Sequence, residues 1–250
     1  MKQGSKEWHE WRRKHIGASE AYIIDQGTPV AQLNLWEEKL GLAEPDYEAK
    51  GAANQRGHML EPVARKWYND QTGNCVLPIV VEDKKYSFLG ASLDGLSLDG
   101  KIIYEVKCPT TRERLDGAMA KTINVKDWCQ MQHQMCVTGL NYVDYHIYYS
   151  DEDAHLFRVD RDQDWIDQYI PKAKEFWKAV QNQIPPVPEM EDEEWLIREK
   201  ELMYVLEKED ELKNDMKVIK ARKEELYRKL ADITEGHSAL GKQIVLCRRS

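Results

Sequence analysis

Three residues in the stretch LGASLDGLSLDGKIIYEVKCPT (89–110) have types and spacing suited to chemistry: Asp94, Glu105 and Lys107. Glu105 and Lys107 are two apart in an apolar segment, so on a β-strand they share one face while Tyr104 and Val106 point to the other. Asp99-Gly100, between two alternating apolar runs, is a two-residue hairpin signal. With those residues in the turn, Leu98 faces Lys101, and counting outward sets Asp94 opposite Glu105. Directly opposed residues have Cβ atoms about 4.5–5.5 Å apart, and two carboxylates at that distance repel unless a cation neutralises them. Hard oxygen donors of this kind suit Mg²⁺, with Mn²⁺ as a substitute, as one or two ions that keep water and take phosphate oxygens as further ligands. Lys107 beside such an ion can hold or activate a water. The plain alternative is a solvated hairpin with a weak surface Glu–Lys pair. Against it, Glu105 lies in IIYEVKCP, a strand whose burial makes unpaired charge costly, and Pro109 ends the strand just after the lysine.

Size and composition leave room for this chemistry without dictating it. A chain of 250 residues can build one ordinary core and carry an appendage. The opening MKQGSKEWHEWRRK lacks the apolar centre of a signal peptide, and no run of 18 apolar residues occurs, so the sequence reads as soluble, membrane-free and cytoplasmic, in a bacterial host if phage or prophage encoded. Five scattered cysteines without a CxxC pair suggest reduced thiols rather than a disulfide framework or zinc cage. The formal charge of -8 is not the basic footprint of a nucleic-acid binder. Yet DNA responds to the local field of one groove, and a site that holds Mg²⁺ must itself be acidic.

The elements that would position these residues form an α/β pattern. Periodicity predicts a helix over about 54–70, strands within 75–107, a helix over 126–138 that Gly139 ends, strands at 141–149 and 155–159, and a helix over 162–181. In the first helix Leu60, Val63, Ala64 and Trp67 form the core-facing stripe, with Glu61 at its edge, and Pro62 leaves the helix start open. IPPVPEMEDEEW (184–195) is the one plausible boundary, dividing a domain of residues 1–188 from an appendage of 189–250. In the appendage Val205, Leu212, Ile219, Leu226 and Ile233 recur every seven residues, and Leu202, Met216 and Leu230 form a second series interrupted by Glu209 and Lys223. This is an amphipathic helix or helical hairpin, packed on the domain, folded on itself, or extended as a partner-binding arm.

Five blocks in order, WHEWRRKHIGASEA, RGHMLEPVARKWY, LGASLDG, YEVKCP and QMQHQMCVTG, resemble the YqaJ-type viral recombinase family, which includes the exonuclease of phage lambda. The resemblance covers roughly residues 5–150. It implies a restriction-endonuclease-like fold of the PD-(D/E)xK superfamily, with a central mixed β-sheet flanked by helices. It further implies that Asp94, Glu105 and Glu61 are metal-binding acids, that the Val106 carbonyl is a further metal ligand, and that Lys107 is the catalytic lysine. Gln132 matches a glutamine that faces the active site, and Arg12 and Ser19 match residues that hold a DNA 5'-phosphate. The residues around them allow blander roles: Ser19 in GASEA reads as a helix N-cap, and Gln130, Gln132 and Gln134 cannot all face one way on a helix. His133 is given no catalytic role, and Trp8, Trp11 and Trp36 suit core packing better than base stacking.

The implied activity is Mg²⁺-dependent 5'-to-3' digestion of one strand of linear double-stranded DNA, by in-line attack of water, releasing 5'-mononucleotides and leaving a 3' overhang for recombination. Implied partners are duplex DNA ends, a single-strand annealing protein and further copies of the chain in a trimer. Two rivals stand beside it. One is an endonuclease of the same superfamily, nicking or junction-resolving, since a fold does not fix how DNA is presented. The other is a DNA-end-binding scaffold for an annealing protein, with little activity of its own.

Overall fold

The computed structural model describes residues 4–43, 51–111, 123–186, 211–212 and 214–226, with backbone alone for 51–55. Helix α1 (Lys6–Arg13) begins at Ser5, whose hydroxyl accepts from the Trp8 N–H, and it buries Trp8 and Trp11. A short 3₁₀ turn (Ala18–Glu20) leads into α2 (Ala21–Gln26). Thr28 caps α3 (Pro29–Leu40), which has proline in its first turn and ends at Gly41 with φ 73°. Helix α4 (Gly51–Thr72) then feeds the sheet.

The sheet has five strands in sequence order: β1 (Val76–Glu82), β2 (Gly90–Ser97), β3 (Ile103–Lys107), β4 (Tyr142–Tyr148) and β5 (Ala154–Asp160). All neighbours are antiparallel except β3 and β4, which run parallel. A parallel pair cannot be joined by a tight turn, and α5 (Val125–Thr138) lies in the connection. Helix α6 (Gln163–Asn182) follows β5. The predicted mixed sheet flanked by helices is the fold found.

Alternation along β3 divides the sheet into two faces. Tyr104 and Val106 join Ala64 and Tyr68 of α4, Val76 and Tyr148 in one buried cluster, with Leu60 and Trp67 packed against it. The stripe expected on α4 is therefore corrected at one position, because Val63 is 46% exposed and Tyr68 takes the core place. The helix also runs through Pro62, so its start lies well before the proline. The opposite face is covered by α5, which packs on β1, β2, β3 and β4 and buries Met131, His133 and Met135 completely. Since the Gly90 carbonyl can only accept, His133 donates to it through Nε2–H (3.0 Å), and its Nδ1 accepts from the Tyr169 hydroxyl (2.9 Å). Burial holds His133 down to about 4, so it is a neutral core residue.

The β2–β3 hairpin departs from the expected turn while keeping its register. Leu98 and Asp99 occupy the turn, the Gly100 N–H donates to Ser97 O (2.8 Å), and Gly100 takes the left-handed φ of 71°. The turn thus sits one residue earlier than Asp99-Gly100, and glycine absorbs the offset. The pairs Gly95↔Tyr104 and Leu96↔Ile103 nonetheless keep the alignment that sets Asp94 across from Glu105.

The chain divides into two compact units, Met1–Pro188 and Glu189–Ser250. In the second, residues 214–226 are helical, and Leu212, Met216, Ile219 and Leu226 are exposed. The other members of the two heptad series, Leu202, Val205, Glu209, Leu230 and Ile233, lie outside the described residues. No described helix is long and apolar enough to cross a membrane.

Candidate active site

Glu105 is the centre of the site and almost fully buried, at 1% exposure. A carboxylate there must be paired, and three side chains do so. Lys107, two residues along β3, places Nζ 2.8 Å from Oε1. Gln130 of α5 donates to the same Oε1 (2.7 Å) and accepts from Lys107 Nζ through its own Oε1 (2.9 Å). Gln134, one helical turn on, donates to Glu105 Oε2 (2.6 Å). Asp127, at the start of α5, stands 3.6 Å from Lys107 Nζ and is fixed by the Tyr145 hydroxyl, which donates to it at 2.9 Å.

Asp94 reaches the site from β2. Its Oδ2 accepts from the Val106 N–H (3.0 Å), and its carbonyl accepts from Arg65 of α4 (2.7 Å). The Asp94 carboxyl is held well above the usual range, first by burial and then by the negative charges of Glu105 and Glu61, against the opposing pull of Lys107 and the Val106 bond. Burial works against the Lys107 charge, but Glu105, Asp127 and Asp94 outweigh it and hold the ammonium well above the ordinary lysine range. Lys107 donates to Gln130 Oε1 and pairs with Glu105 in this arrangement.

Asp94, Glu105 and Lys107 come together, with Val106 tied to Asp94 through its N–H. Glu61 sits on α4 near enough to act on Asp94 electrostatically, yet among the described residues no three His, Cys, Asp or Glu side chains converge as a ready-made metal cluster. Of the three expected acids, Asp94 and Glu105 lie across from one another on the hairpin, and Glu61 acts on Asp94 from α4, less strongly than Glu105 does. Gln132 does not face the acids. Its Nε2 donates to Asp160 O (2.9 Å) and its Oε1 accepts from the Asp162 N–H (2.7 Å), tying α5 to the start of α6. Successive helical residues turn by about 100°, so Gln130 and Gln134 share a face that Gln132 opposes. The sequence reading missed Gln130, Gln134, Asp127 and Arg65. The i, i+4 spacing of two glutamines was the only signal for any of them.

Arg12 and Ser19 lie in a second polar cluster. Arg12 Nη2 is 2.8 Å from Glu20 Oε1 and 3.5 Å from the exposed Ser19 hydroxyl, with the guanidinium over the Trp8 ring at 4.9 Å. Glu20 is buried and also pairs with Lys39 (2.6 Å), whose ammonium donates to the carbonyls of Arg12 (2.8 Å) and His15 (2.6 Å). Burial would raise the Glu20 carboxyl, but Lys39 and Arg12 outweigh it and hold it at about 2. Burial draws Lys39 below the ordinary lysine range against the attraction of Glu20. Ser19 is not the expected N-cap. It lies inside the 3₁₀ turn, where the Glu20 carboxylate accepts from the Gly17 N–H instead (2.8 Å). Trp8, Trp11 and Trp36 are buried, as core packing requires. The segment is pinned to the sheet by the Ile16 N–H donating to Phe88 O (2.7 Å) and the Gly90 N–H donating to Ile16 O (3.0 Å).

The donor chemistry fits a divalent cation. The hairpin register sets Asp94 across from Glu105, the charge of Glu105 disfavours the Asp94 anion, and the buried Oε1 of Gln134 has no partner among the described residues. Mg²⁺ needs only one or two protein carboxylates, because water and substrate oxygens complete its shell.

A mixed sheet between helices, with acids and a lysine meeting on its central hairpin, defines an enzyme of the nuclease class. The YqaJ-like viral recombinase domain model matches residues 7–141. The chain belongs to that family. An alkaline exonuclease from Laribacter hongkongensis (LHK-Exo) is 25% identical with a TM-score of 0.63, the match covering 80% of this chain and 100% of that one. The same enzyme in complex with dAMP aligns over the same shares at 25% identity, with a TM-score of 0.64. A phage related exonuclease from Haemophilus somnus 129PT shares the fold at 15% identity and a TM-score of 0.55, over 70% of this chain and 97% of its own. A comparison with curated proteins found no match.

Proposed function

We propose that this protein is a Mg²⁺-dependent 5'-to-3' exonuclease that digests one strand of linear duplex DNA, releases 5'-mononucleotides and leaves a 3' overhang for recombination. Residues 1–188 form the nuclease domain and 189–250 its appendage. The observation that carries the reading is the meeting of Asp94, Glu105 and Lys107, with Lys107 and Glu105 2.8 Å apart. The likeness to an alkaline exonuclease solved with dAMP supports a site that accepts a nucleotide.

Asp94 and Glu105 would hold the cation, with the Val106 carbonyl and Glu61 as further ligands. A bound Mg²⁺ would supply charge stabilisation at the attacking and leaving oxygens. Water adds to phosphorus, the P–O3' bond breaks, and the products are a 3'-hydroxyl and a 5'-phosphate. Lys107, kept as an ammonium by Glu105 and Asp127, donates to the oxygens on which negative charge develops. Gln130 bridges Glu105 and Lys107 and fixes their separation. Arg12 and Ser19 would take the 5'-phosphate of the end being digested, where the Glu20 carboxylate already holds the guanidinium in place. Further copies of the chain in a trimer, an annealing partner and a cytoplasmic setting complete the proposal.

The test is Mg²⁺-dependent digestion of end-labelled linear duplex beside covalently closed circular DNA. Release of mononucleotides from the linear 5' end with an intact circle is expected. Cutting of the circle would move the protein to the endonucleases, and no digestion of either would leave an end-binding scaffold.

A further inference from the structure

Glu105 can accept about four hydrogen bonds, two at each carboxylate oxygen. Its Oε1 is filled by Gln130 at 2.7 Å and Lys107 at 2.8 Å. Among the described residues Oε2 accepts only from Gln134, at 2.6 Å. Oε2 is therefore the oxygen with a lone pair left for a cation, and Gln134 is the side chain that aims it. Gln134 is fully buried, and the other end of its amide, Oε1, is without a partner among the described residues. An orphan acceptor in a buried polar site has a cost that a donor arriving with a ligand removes. Assigning the amide the other way round would set its oxygen against the Glu105 carboxylate, so the orientation is determined.

We propose that Gln134 is a positioning residue for cation binding: its Nε2 aims Glu105 Oε2, and its unpartnered Oε1 accepts from a water beside the cation. The inference rests on the proposed cation site at Asp94 and Glu105. Gln130 has a different task, because it engages the oxygen shared with Lys107. Groups that orient a metal ligand in this way typically change affinity or activity by about 10- to 100-fold when removed.

The experiment measures Mn²⁺ binding to the full chain without DNA, counting free Mn²⁺ by its electron paramagnetic resonance signal. It compares wild type, Gln134→Met and Glu105→Gln. Methionine keeps the length and volume of glutamine but neither donates to Oε2 nor accepts through an amide oxygen. Binding about tenfold weaker or worse in Gln134→Met is expected. The Mg²⁺ concentration for half-maximal digestion should rise by the same factor, with kcat restored at saturating Mg²⁺. A merely structural role would lower kcat at every Mg²⁺ concentration and leave the half-saturation point in place. Wild-type affinity in Gln134→Met, with affinity lost in Glu105→Gln, overturns the role of Gln134 and leaves the cation site standing. Equal binding by wild type and Glu105→Gln removes the cation site and this inference with it. Thermal unfolding checks that each variant folds, and Gln134→Leu replaces the methionine variant if it does not. Failure of both to fold assigns Gln134 to the core and overturns the proposal.

Discussion

The Lys107 ammonium lies 2.8 Å from Glu105 Oε1 and 2.9 Å from Gln130 Oε1, so one cation joins a strand carboxylate to a helix amide. Lys107→Ala removes the donor at the reacting phosphate, and digestion of end-labelled duplex should fall by about 10²–10³-fold or more. Glu105 keeps its two glutamine partners, so the stability loss should be about 2 kcal/mol, below that of a buried pair stripped of all support. Lys107→Arg keeps the charge but presents a planar fork in place of a compact ammonium, and activity should remain far below wild type. Undiminished digestion by Lys107→Ala would exclude this lysine from the reaction.

Asp94 is destabilised as an anion by burial, Glu105 and Glu61. Asp94→Asn removes one of the repelling charges and can keep the bond from the Val106 N–H. In EDTA its unfolding midpoint should therefore lie a few degrees above that of wild type, while digestion is lost. Mg²⁺ should raise the midpoint of wild type, since a ligand that binds only the folded state stabilises it, and should leave the variant unmoved. An equal Mg²⁺ shift in both proteins would place the cation elsewhere.

The buried Glu20 cluster makes a prediction about acid. Its folded pKa of about 2 lies below the ordinary 4.5, so its contribution is complete above about 4.5 and is lost as pH falls through that value toward 2. The difference corresponds to about 3 kcal/mol. Glu20→Gln should be less stable near neutral pH, because it strips Lys39 of its counter-charge, and its stability should fall less steeply below pH 4.5. Urea midpoints measured from pH 7 to pH 3 check this, and parallel curves for the two proteins would reject it.

Arg12 reaches both Glu20 and the exposed Ser19 hydroxyl. Lys39 still neutralises Glu20 when Arg12 is cut back, so Arg12→Ala should fold. It should lose about tenfold in rate on 5'-phosphorylated ends, equivalent to one charge-assisted contact, with a smaller change on hydroxyl ends. Equal wild-type rates on the two kinds of end would remove the phosphate pocket.

What the sequence disclosed follows the range of the forces involved. The period of a strand put Glu105 and Lys107 on one face, and pairing within a single hairpin put Asp94 across from Glu105. Both are local, and the register survived even though the turn itself sits one residue earlier. Helix phase is different. Which of Gln130, Gln132 and Gln134 faces the sheet depends on how α5 rolls onto strands far away in sequence. Val63 turns outward on α4 for the same reason. Tyr68 completes the stripe only because Tyr104 and Val76 lie beneath it. Asp127 and Arg65 owe their places to partners 18 and 29 residues away, which no local pattern encodes.

The glutamines supply a reciprocal test of that last point. Gln132 bonds the backbone on both sides of the β5–α6 junction, at Asp160 O and the Asp162 N–H, and neither atom belongs to the site. Gln132→Met removes both bonds; Asp160 and Asp162 are exposed, so water can replace part of what is lost, and the cost should be about 1–3 kcal/mol at roughly 0.5–1.5 kcal/mol each. The folded fraction should retain its kcat, because Glu105, Lys107 and Asp94 keep all their partners. Gln130→Met reverses the pattern. It frees both Glu105 Oε1 and Lys107 Nζ to move, so kcat should fall by about tenfold or more, with a smaller stability loss because Lys107 is 32% exposed and water can replace the lost acceptor. Unfolding midpoints and single-turnover digestion on the same two preparations decide between them. Loss of kcat in a stably folded Gln132→Met would return that residue to the active site and assign Gln130 a packing role.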